Sequence, residues 1–437
     1  MSDPATSTPQ GTAPYGAPPM PAPAFPSEYP AFPATSPTGG FAPPAGPPPQ
    51  SSVYAPPAGP PPTQGSLYAP PPGFPPAPAG NYYNAYPAGA IEPPIVYYRG
   101  VAIHNPKFSG VIAKYDGADQ DIASLLSLKG NGLIPALTKL GPLKTEVVVR
   151  DFPSHPNNKK CVSLKDHIKR ETSGLVEDGL LGLILGPVRY DADRVRKALQ
   201  GLGTNEEVLN EIVLELAPQD CSLLTYVYRE TYGKTMLEDI KGDLSGSVAK
   251  LFETAVDVHR RMLPDANTPD HKQLAMDDAR DLYKAGEGKM GTNEATFHTI
   301  LTGRTPLHLV EVCRQYLDKQ GKALSKAIQN EFSGDEKKSL ESIIVGAELA
   351  LSHPEFDPQA LRDAKFLEDA MGSEGLLLMR ILRAHWSRPR MDAITAAFPR
   401  VQEKHKGLAL LSALDKIKKE KGALRDLLVG LVKGEGV

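Results

Sequence analysis

The chain has 437 residues and a formal net charge of −3 at pH 7, so it can hold several domains, and it is not expected to bind polyanions through bulk positive charge. Its three cysteines, Cys161, Cys221 and Cys313, are widely spaced, which argues against a disulfide framework or a structural zinc site and favours a reducing, intracellular setting. The N-terminus lacks the pattern of a secretory signal, and no apolar run approaches the roughly 20 residues of a membrane-spanning helix.

Residues 1–90 form a proline-rich segment unlike the rest of the chain. This segment holds 28 of the 44 prolines, has no Lys or Arg, and contains only Asp3 and Glu28 as acids. Proline lacks a backbone donor, and the other apolar residues are too small or too scattered to bury a core. We therefore expect residues 1–95 to be a disordered Pro/Ala/Gly/Tyr-rich tail with polyproline II character.

The tail also carries spaced aromatic residues, and a short unit occurs at 52–57 and again at 66–71. Spaced aromatics in a flexible chain can act as weak sites for self-association or for grooves on partner proteins. The alternative interpretation is a plain solubilising spacer. Both remain open from the sequence.

From about residue 116 onward the hydrophobic pattern is helical. In one block, Val208, Leu209, Ile212, Val213 and Leu216 recur with the spacing that places apolar side chains on one face of a helix. The following blocks repeat this pattern with short turns between them, and no alternating strand pattern competes with it. The sequence therefore predicts an all-α fold for this part of the chain.

The helical part also repeats itself. The segment Gly-Thr-Asn-Glu at 203–206 returns at 291–294, and the acid-to-glycine segment at 243–246 returns at 331–334. Fainter copies lie at 129–132, at 171–174 and at 371–374. Four units of about 70 residues fit this repetition. Their predicted bounds are 116–187, 188–260, 272–350 and 358–434, with the first and fourth divergent.

A glycine-rich loop follows a predicted helix at 191–199 in the second unit. Gly201 and Gly203 let the chain turn sharply and leave carbonyl oxygens unshielded, at a helix end that already carries negative partial charge. We expect Thr204 to cap the next helix, with Glu207 completing a capping box. The result is a tight turn that exposes several backbone oxygens.

A carboxylate recurs at a fixed distance from this kind of loop. Asp243 follows Gly203 by forty residues, and Glu331 follows Gly291 of the third-unit loop, 286–292, by the same forty. A cage of oxygen ligands alone suits Ca²⁺, which takes six to eight oxygens, better than Mg²⁺. These glycines can also be read as simple helix caps, but the matched distal acids favour a cation site. The P-loop and EF-hand patterns are absent.

The pattern of Gly-x-Gly-Thr, about forty residues and then an acid before Ser/Thr-Gly, repeated in helical units, resembles the annexin family. The resemblance covers about residues 100–437, and the tail is similar to those of long-tailed annexins. It implies a curved disc of four repeats of five short helices. It also implies a convex face on which Ca²⁺ bridges the loops to the headgroups of acidic phospholipid membranes.

The resemblance implies ligands residue by residue. In the second unit they are the carbonyls of Leu199, Gly201 and Gly203 with the carboxylate of Asp243. In the third unit they are the carbonyls of Gly286, Lys289 and Gly291 with the carboxylate of Glu331. Leu202 and Met290 lie at the loop tips, where they are candidate membrane contacts or exposed residues without a task.

The outer units depart from the pattern. The first keeps Leu128, Gly130, Gly132 and Glu171 as a weaker candidate site, although Leu133 stands where Thr is expected. The fourth has Ala370 in place of the first glycine. Its nearest acid, Glu420, is forty-eight residues from Gly372, so we expect the fourth site to be lost.

A single carboxylate per cage predicts weak Ca²⁺ affinity in solution, on the order of 10⁻⁴ to 10⁻³ M, which lipid oxygens raise by filling open coordination positions. We expect a cytoplasmic protein that becomes a peripheral membrane protein when Ca²⁺ rises, with a role in membrane trafficking or organisation. The sequence contains no nucleophile motif, so we do not expect an enzyme. We also expect no nucleic-acid partner.

A competing hypothesis is a scaffold or adaptor that acts mainly through its tail. The segment Pro-Pro-Pro-Gly-Phe at 70–74 resembles short peptides bound by penta-EF-hand proteins, so such a protein is a candidate partner of the tail, beside self-association.

Overall fold

The computed structural model describes residues 95–108, 114–201, 203–257, 271–402, 407–417 and 422–434. The predictions for the tail concern residues 1–94, which lie outside the described residues, as do Leu202 and Glu420. Where the structure describes the chain it is mostly helical, which confirms the all-α prediction apart from one hairpin.

This hairpin precedes the first helix. Strands β1, Ile95–Tyr98, and β2, Val101–His104, pair antiparallel, with Ile95 opposite His104 and Tyr98 opposite Val101. Arg99 and Gly100 both have positive φ, 51° and 77°, as a two-residue hairpin turn matched to strand twist requires. The predicted tail, 1–95, includes Ile95, and no element is predicted directly after it, so the hairpin corrects that boundary.

The first group of helices surrounds the first candidate loop. It comprises α1 (Ala118–Ser127), α2 (Leu133–Leu137), α3 (Pro142–Asp151), α4 (Leu164–Glu171) and α5 (Gly174–Ala198). Helix α5 bends at Gly186, whose φ of 70° and ψ of 171° are not helical, immediately before Pro187. Since proline cannot continue the hydrogen-bond ladder, the second half of α5 is in effect the first helix of the next group.

The remaining helices complete the second, third and fourth groups. The second continues with α6 (Glu206–Val213), α7 (Pro218–Tyr232), α8 (Met236–Asp243) and α9 (Gly246–Val256). The third contains α10 (His271–Ala285), α11 (Glu294–Thr302), α12 (Pro306–Gln320), α13 (Leu324–Glu331) and α14 (Gly334–Ser352). The fourth contains α15 (Pro358–Asp369), α16 (Glu374–His385), α17 (Arg388–Ala397), α18 (Leu410–Leu414) and α19 (Gly422–Lys433). With α5 divided at its bend, the described residues of each group form five α-helical segments, while the predicted unit bounds stay predictions.

Local sequence explains why equivalent helices in the second and third groups begin and end alike. Helix α7 begins at Pro218 and is followed by Gly233 with φ of 70°, and α12 begins at Pro306 and is followed by Gly321 with φ of 69°. Proline fits the first helical turn, and a left-handed glycine ends a helix. None of the described helices combines the length and the apolarity that crossing a bilayer requires.

A buried ion cluster joins the hairpin to the second and fourth groups. The hydroxyl of Tyr98 donates to Asp191 in α5 at 2.8 Å, and Arg383 of α16 donates to the same carboxylate from its Nε at 2.9 Å. Arg99 Nη2 lies 2.5 Å from Glu215 Oε1, with both side chains less than 10% exposed. Buried charges are stable only when paired in this way, so the cluster fixes where the hairpin lies.

Candidate functional site

The second candidate loop begins where α5 ends. Leu199 is the C-cap of α5, and the amide of Asn205 reaches back to donate to the carbonyl of Ala198 at 3.0 Å, which closes the turn. Gly201 and Gly203 have φ of 127° and 89°, in the region that side chains disfavour. The turn therefore depends on both glycines, and both are exposed.

Thr204 does not cap α6, so that prediction is wrong. The N-cap is Asn205, whose side-chain oxygen accepts from the amide of Val208 at 3.2 Å. Glu207, expected in a capping box, instead pairs with Arg380 at 2.6 Å. The hydroxyl of Thr204 is thereby left to donate to the carboxylate of Asp243.

Asp243 is the last residue of α8 and is exposed, and its carboxylate meets the loop at the hydroxyl of Thr204. Helix α8 is fixed at its other end by a capping box between Thr235 and Glu238. The structure therefore brings the carboxylate of Asp243 to the glycine turn at 201–203, as the forty-residue spacing predicted. Leu202 lies outside the described residues, so its role as a membrane contact stays a prediction.

The third candidate loop, 286–292, is held by two backbone hydrogen bonds. The amide of Gly288 donates to the carbonyl of Tyr283 at 2.8 Å, and the amide of Lys289 donates to the carbonyl of Gly286 at 3.1 Å. A side chain at 288 would place its Cβ 2.9 Å from the Tyr283 oxygen, so this position requires glycine. Gly291 has a φ of 79° and ends the turn.

Glu331 is the last residue of α13 and meets this loop as Asp243 meets the second one. The hydroxyl of Thr292 donates to Glu331 Oε2 at 2.6 Å. A Cβ added at Gly286 would lie 3.1 Å from Cγ of Glu331, so the acid side chain packs directly on the loop. Two loops, two threonines and two acids thus form the same arrangement in neighbouring groups of helices.

The tip of the third loop projects into solvent. Met290 is fully exposed, at 102% of the reference area, and Lys289 beside it is also exposed. A large apolar side chain held entirely in water loses the favourable free energy of burial. The role of Met290 as a membrane contact stays a prediction.

The first candidate loop has a different structure. Leu128 is the C-cap of α1, residues Gly130–Gly132 form a 3₁₀ turn, and Leu133 is fully buried as the first residue of α2. The carboxylate of Glu171 lies 3.1 Å from the guanidinium of Arg170. No threonine hydroxyl holds this acid, because Leu133 takes the equivalent place, so the weaker candidate site lacks one element of the other two.

The fourth loop closes on itself. Residues Ala370–Gly372 form a 3₁₀ turn, in which the amide of Ser373 donates to the carbonyl of Ala370 at 2.7 Å. Ala370 is buried. Since Glu420 lies outside the described residues, the expected loss of this site remains a prediction.

Side chains alone offer no cluster of metal ligands in the described ranges. Among these residues no three His, Cys, Asp or Glu side chains cluster so that they could hold a metal ion. The second and third loops each offer carbonyls and a single carboxylate, a donor set of oxygens alone that suits a hard cation such as Ca²⁺. The predicted residues therefore fit the predicted ion.

Sequence reasoning missed two residues at these loops. Asn205 is the cap that frees Thr204, and both residue types favour caps, so the sequence offered no way to choose between them. Glu287 turns inward and accepts from three side chains that are distant along the chain. Only the structure brings those partners together.

Comparison with known proteins places these loops in a family. The family model described as Annexin matches residues 190–254 and 277–343, which contain both loops. Annexin A1 of Equus caballus is 32% identical over 61% of this chain and 72% of its own length. Annexin C1 of Cryptococcus neoformans var. grubii is 31% identical over 68% of this chain. The chain spans 63% of annexin C1 and 51% of human annexin A7.

Solved structures agree with the family model. Annexin III has a TM-score of 0.61 at 25% identity and covers 74% of this chain and 95% of its own. Calcium-bound annexin (Sm)1 shares the fold, with a TM-score of 0.57 at 22% identity over 72% of this chain and 90% of its own. On the repeated helices, the paired loops and these relatives, the chain belongs to the annexin family.

Proposed function

We propose that this chain binds acidic phospholipid membranes when Ca²⁺ rises, through the second and third loops. One observation carries the proposal: an exposed glycine turn, a threonine hydroxyl and a helix-terminal carboxylate occur together twice, as Thr204 with Asp243 and as Thr292 with Glu331. Two copies of one oxygen-rich arrangement in neighbouring groups indicate a shared task rather than chance capping.

The proposed ligands are those implied by the family resemblance. They are the carbonyls of Leu199, Gly201, Gly203, Gly286, Lys289 and Gly291, with the carboxylates of Asp243 and Glu331. Each of the two loops thus supplies one charged carboxylate and a few neutral carbonyl oxygens, which leaves coordination positions of the ion open. Ca²⁺ bound there would join the loop to a phosphate or carboxylate oxygen of a lipid headgroup, so ion and membrane raise each other's affinity.

Met290 and Lys289 would contact the membrane beside the third site. An exposed methionine gains free energy when it enters the interfacial region, and an ammonium group is attracted to anionic lipids. Leu202 is the corresponding proposal for the second loop. The first loop, with Leu128, Gly130, Gly132 and Glu171, is proposed only as a weaker site because Arg170 already pairs with its acid.

We also propose a cellular location and role for the protein. A cytoplasmic, non-enzymatic protein that moves to membranes on a Ca²⁺ signal fits a role in membrane trafficking or organisation. The tail, through self-association or a penta-EF-hand partner, would add a second contact. A scaffold that works through the tail alone is the competing function.

Sedimentation with phosphatidylserine vesicles across a Ca²⁺ titration tests the proposal. The unchanged chain should pellet only with Ca²⁺, and the Asp243→Ala/Glu331→Ala double variant should need far more of it. Asp426→Ala, which removes one exposed acid from α19, serves as a charge control, and phosphatidylcholine vesicles serve as a lipid control. If the double variant pellets like the unchanged chain, the two loops are structural turns only.

Removal of residues 1–94, which leaves the hairpin intact, separates the two functions. Ca²⁺-dependent sedimentation that survives the removal assigns membrane binding to the helical part. Sedimentation that disappears with the tail supports the scaffold.

A further inference from the structure

The side chain of Glu287 points into the protein from the middle of the third loop. Only 12% of it is exposed, although it lies between the exposed tip and Gly286. Its carboxylate accepts from the hydroxyl of Tyr316 at 3.0 Å, from Nζ of Lys322 at 2.5 Å and from Nδ2 of Asn330 at 3.3 Å. A carboxylate with three donors is a fixed point in the structure.

The three donors come from the elements that support the third acid. Tyr316 is buried in α12, Lys322 lies in the link between α12 and α13, and Asn330 precedes Glu331 in α13. Glu287 therefore joins the loop that carries the carbonyls to the helix that carries the carboxylate. The direct contact between the two is made by Thr292, and Glu287 adds a second, deeper connection.

We propose that Glu287 is a positioning residue of the third calcium site, which holds the carbonyls of the loop at a fixed distance from Glu331. This inference rests on the proposed function of that site. Glu287 itself need not touch the ion, because its oxygens are occupied by Tyr316, Lys322 and Asn330.

Preorganisation gives this role its energetic reason. A site with one carboxylate gains little from charge, so its affinity depends on how little the carbonyls must be ordered when the ion binds. Lys322 neutralises Glu287 locally, so the pair contributes position more than charge. Burial alone would raise the pKa of Glu287, but the hydrogen bonds from Lys322, Tyr316 and Asn330 outweigh burial and lower it. The carboxylate is therefore ionised at neutral pH, as the ion pair requires.

The second loop provides an internal comparison. Leu199 precedes Gly203 by four residues as Glu287 precedes Gly291, and Leu199 is buried by apolar packing, with 9% exposed. Apolar packing at Leu199 thus fixes the second loop, whereas polar contacts of Glu287 fix the third. A change at Glu287 should affect the third site and leave the second intact.

Two backgrounds isolate the effect. In Asp243→Ala, membrane binding depends mainly on the third site, and in Glu331→Ala mainly on the second. Glu287→Ala is added to each, and the Ca²⁺ concentration for half-maximal sedimentation with phosphatidylserine vesicles is measured. Calorimetric Ca²⁺ titration without lipid gives a second readout, and thermal unfolding without Ca²⁺ checks that each variant is folded.

In the Asp243→Ala background, we expect Glu287→Ala to raise the half-maximal Ca²⁺ concentration roughly tenfold, because loss of a residue that supports a metal ligand has an effect of this size. In the Glu331→Ala background, we expect Glu287→Ala to leave this concentration unchanged. Glu287→Gln, which keeps an acceptor for Tyr316 and Asn330, should recover part of the loss. Equal shifts in both backgrounds, or no shift in Asp243→Ala, would overturn the positioning role. Failure of the proposed function shows separately, as an Asp243→Ala/Glu331→Ala variant that sediments like the unchanged chain.

Discussion

The hydroxyl of Thr292 donates a 2.6 Å hydrogen bond to the carboxylate of Glu331, across the thirty-nine residues that separate them in sequence. Thr204 and Asp243 have the same relationship in the neighbouring group. In each case the hydroxyl fixes one carboxylate oxygen over the loop and leaves the other oxygen available. The threonine of the repeated motif therefore positions an acid rather than capping a helix.

Replacement of Thr292 by Val should weaken Ca²⁺ binding at the third loop. The variant keeps the shape of the side chain but loses the bond to Glu331, which is worth about 0.5–1.5 kcal/mol, a factor of roughly 2 to 12 in affinity. Calorimetric titration in the Asp243→Ala background measures this. Thr292→Ser keeps the hydroxyl and is the control, so equal affinities of the Val and Ser variants would contradict the prediction.

Replacement of Gly288 by Ala should destabilise the third loop. Its Cβ would lie 2.9 Å from the carbonyl oxygen of Tyr283, and such overpacking costs about 1–3 kcal/mol. Thermal unfolding and the Ca²⁺ titration should both report the loss. Gly375→Ala in α16, where a Cβ would have no neighbour within 4 Å, is the matched control and should unfold at or above the temperature of the unchanged chain.

Acid should destabilise the fourth group through His385. Burial lowers the pKa of His385 from 6.5 to about 4; its Nδ1 donates to the carbonyl of Leu431 at 2.8 Å, and its buried Nε2 has no partner among the described residues. Above pH 6.5 neither state binds this proton. As the pH falls from 6.5 to 4, the unfolded chain gains it and the folded chain does not, which removes on the order of 3 kcal/mol of stability.

Denaturant unfolding at pH 7, 6, 5 and 4 measures this dependence. His385→Asn should unfold more easily at pH 7 but show a shallower decline toward pH 4. His353→Asn, which changes a histidine that is not buried, should keep the original decline. An unchanged decline in His385→Asn would assign the acid sensitivity elsewhere.

Replacement of Arg99 by Ala should release the hairpin and lower stability. Arg99 pairs with Glu215 where both side chains are almost entirely buried. Glu215 keeps Arg362 and Arg390 as partners, so we expect the loss of the buried Arg99 contact to cost about 1–3 kcal/mol. Arg280→Ala, which removes the exposed partner of Asp277, should change the free energy of unfolding by only about 0.5 kcal/mol. If both variants lose a similar free energy of unfolding, burial of Arg99 does not strengthen its contribution to stability.

The sequence predicted the helices and the repeats from the local periodicity of apolar residues. It predicted the pairing of the second and third loops with their acids from the fixed spacing between glycine and acid. The choice between Thr204 and Asn205 as the cap could not be made locally, since the hydroxyl of Thr204 is taken by an acid thirty-nine residues away. Glu287 could not be singled out from the sequence, because its partners lie at 316, 322 and 330.

The sequence contains a weak pattern typical of the hairpin. Arg99 and Gly100 stand between two short runs of apolar and aromatic residues, a pattern of strand, two-residue turn and strand. The buried pairing of Arg99 with Glu215 and of Tyr98 with Asp191 is a tertiary effect that no window of sequence contains.

The hairpin also determines how a mechanical load enters this protein. A force applied through residues 1–94 arrives at Ile95, which faces His104 at the open end of the strand pair. Strand pairs loaded at their open end separate like a zipper, one hydrogen-bonded step at a time, at low force. The opening would proceed toward Tyr98 and Arg99, whose buried bonds to Asp191 and Glu215 resist together. The hairpin is thus a short extensible link in series with a stiff anchor: both carry the same tension, and we expect the extension to occur in the hairpin first.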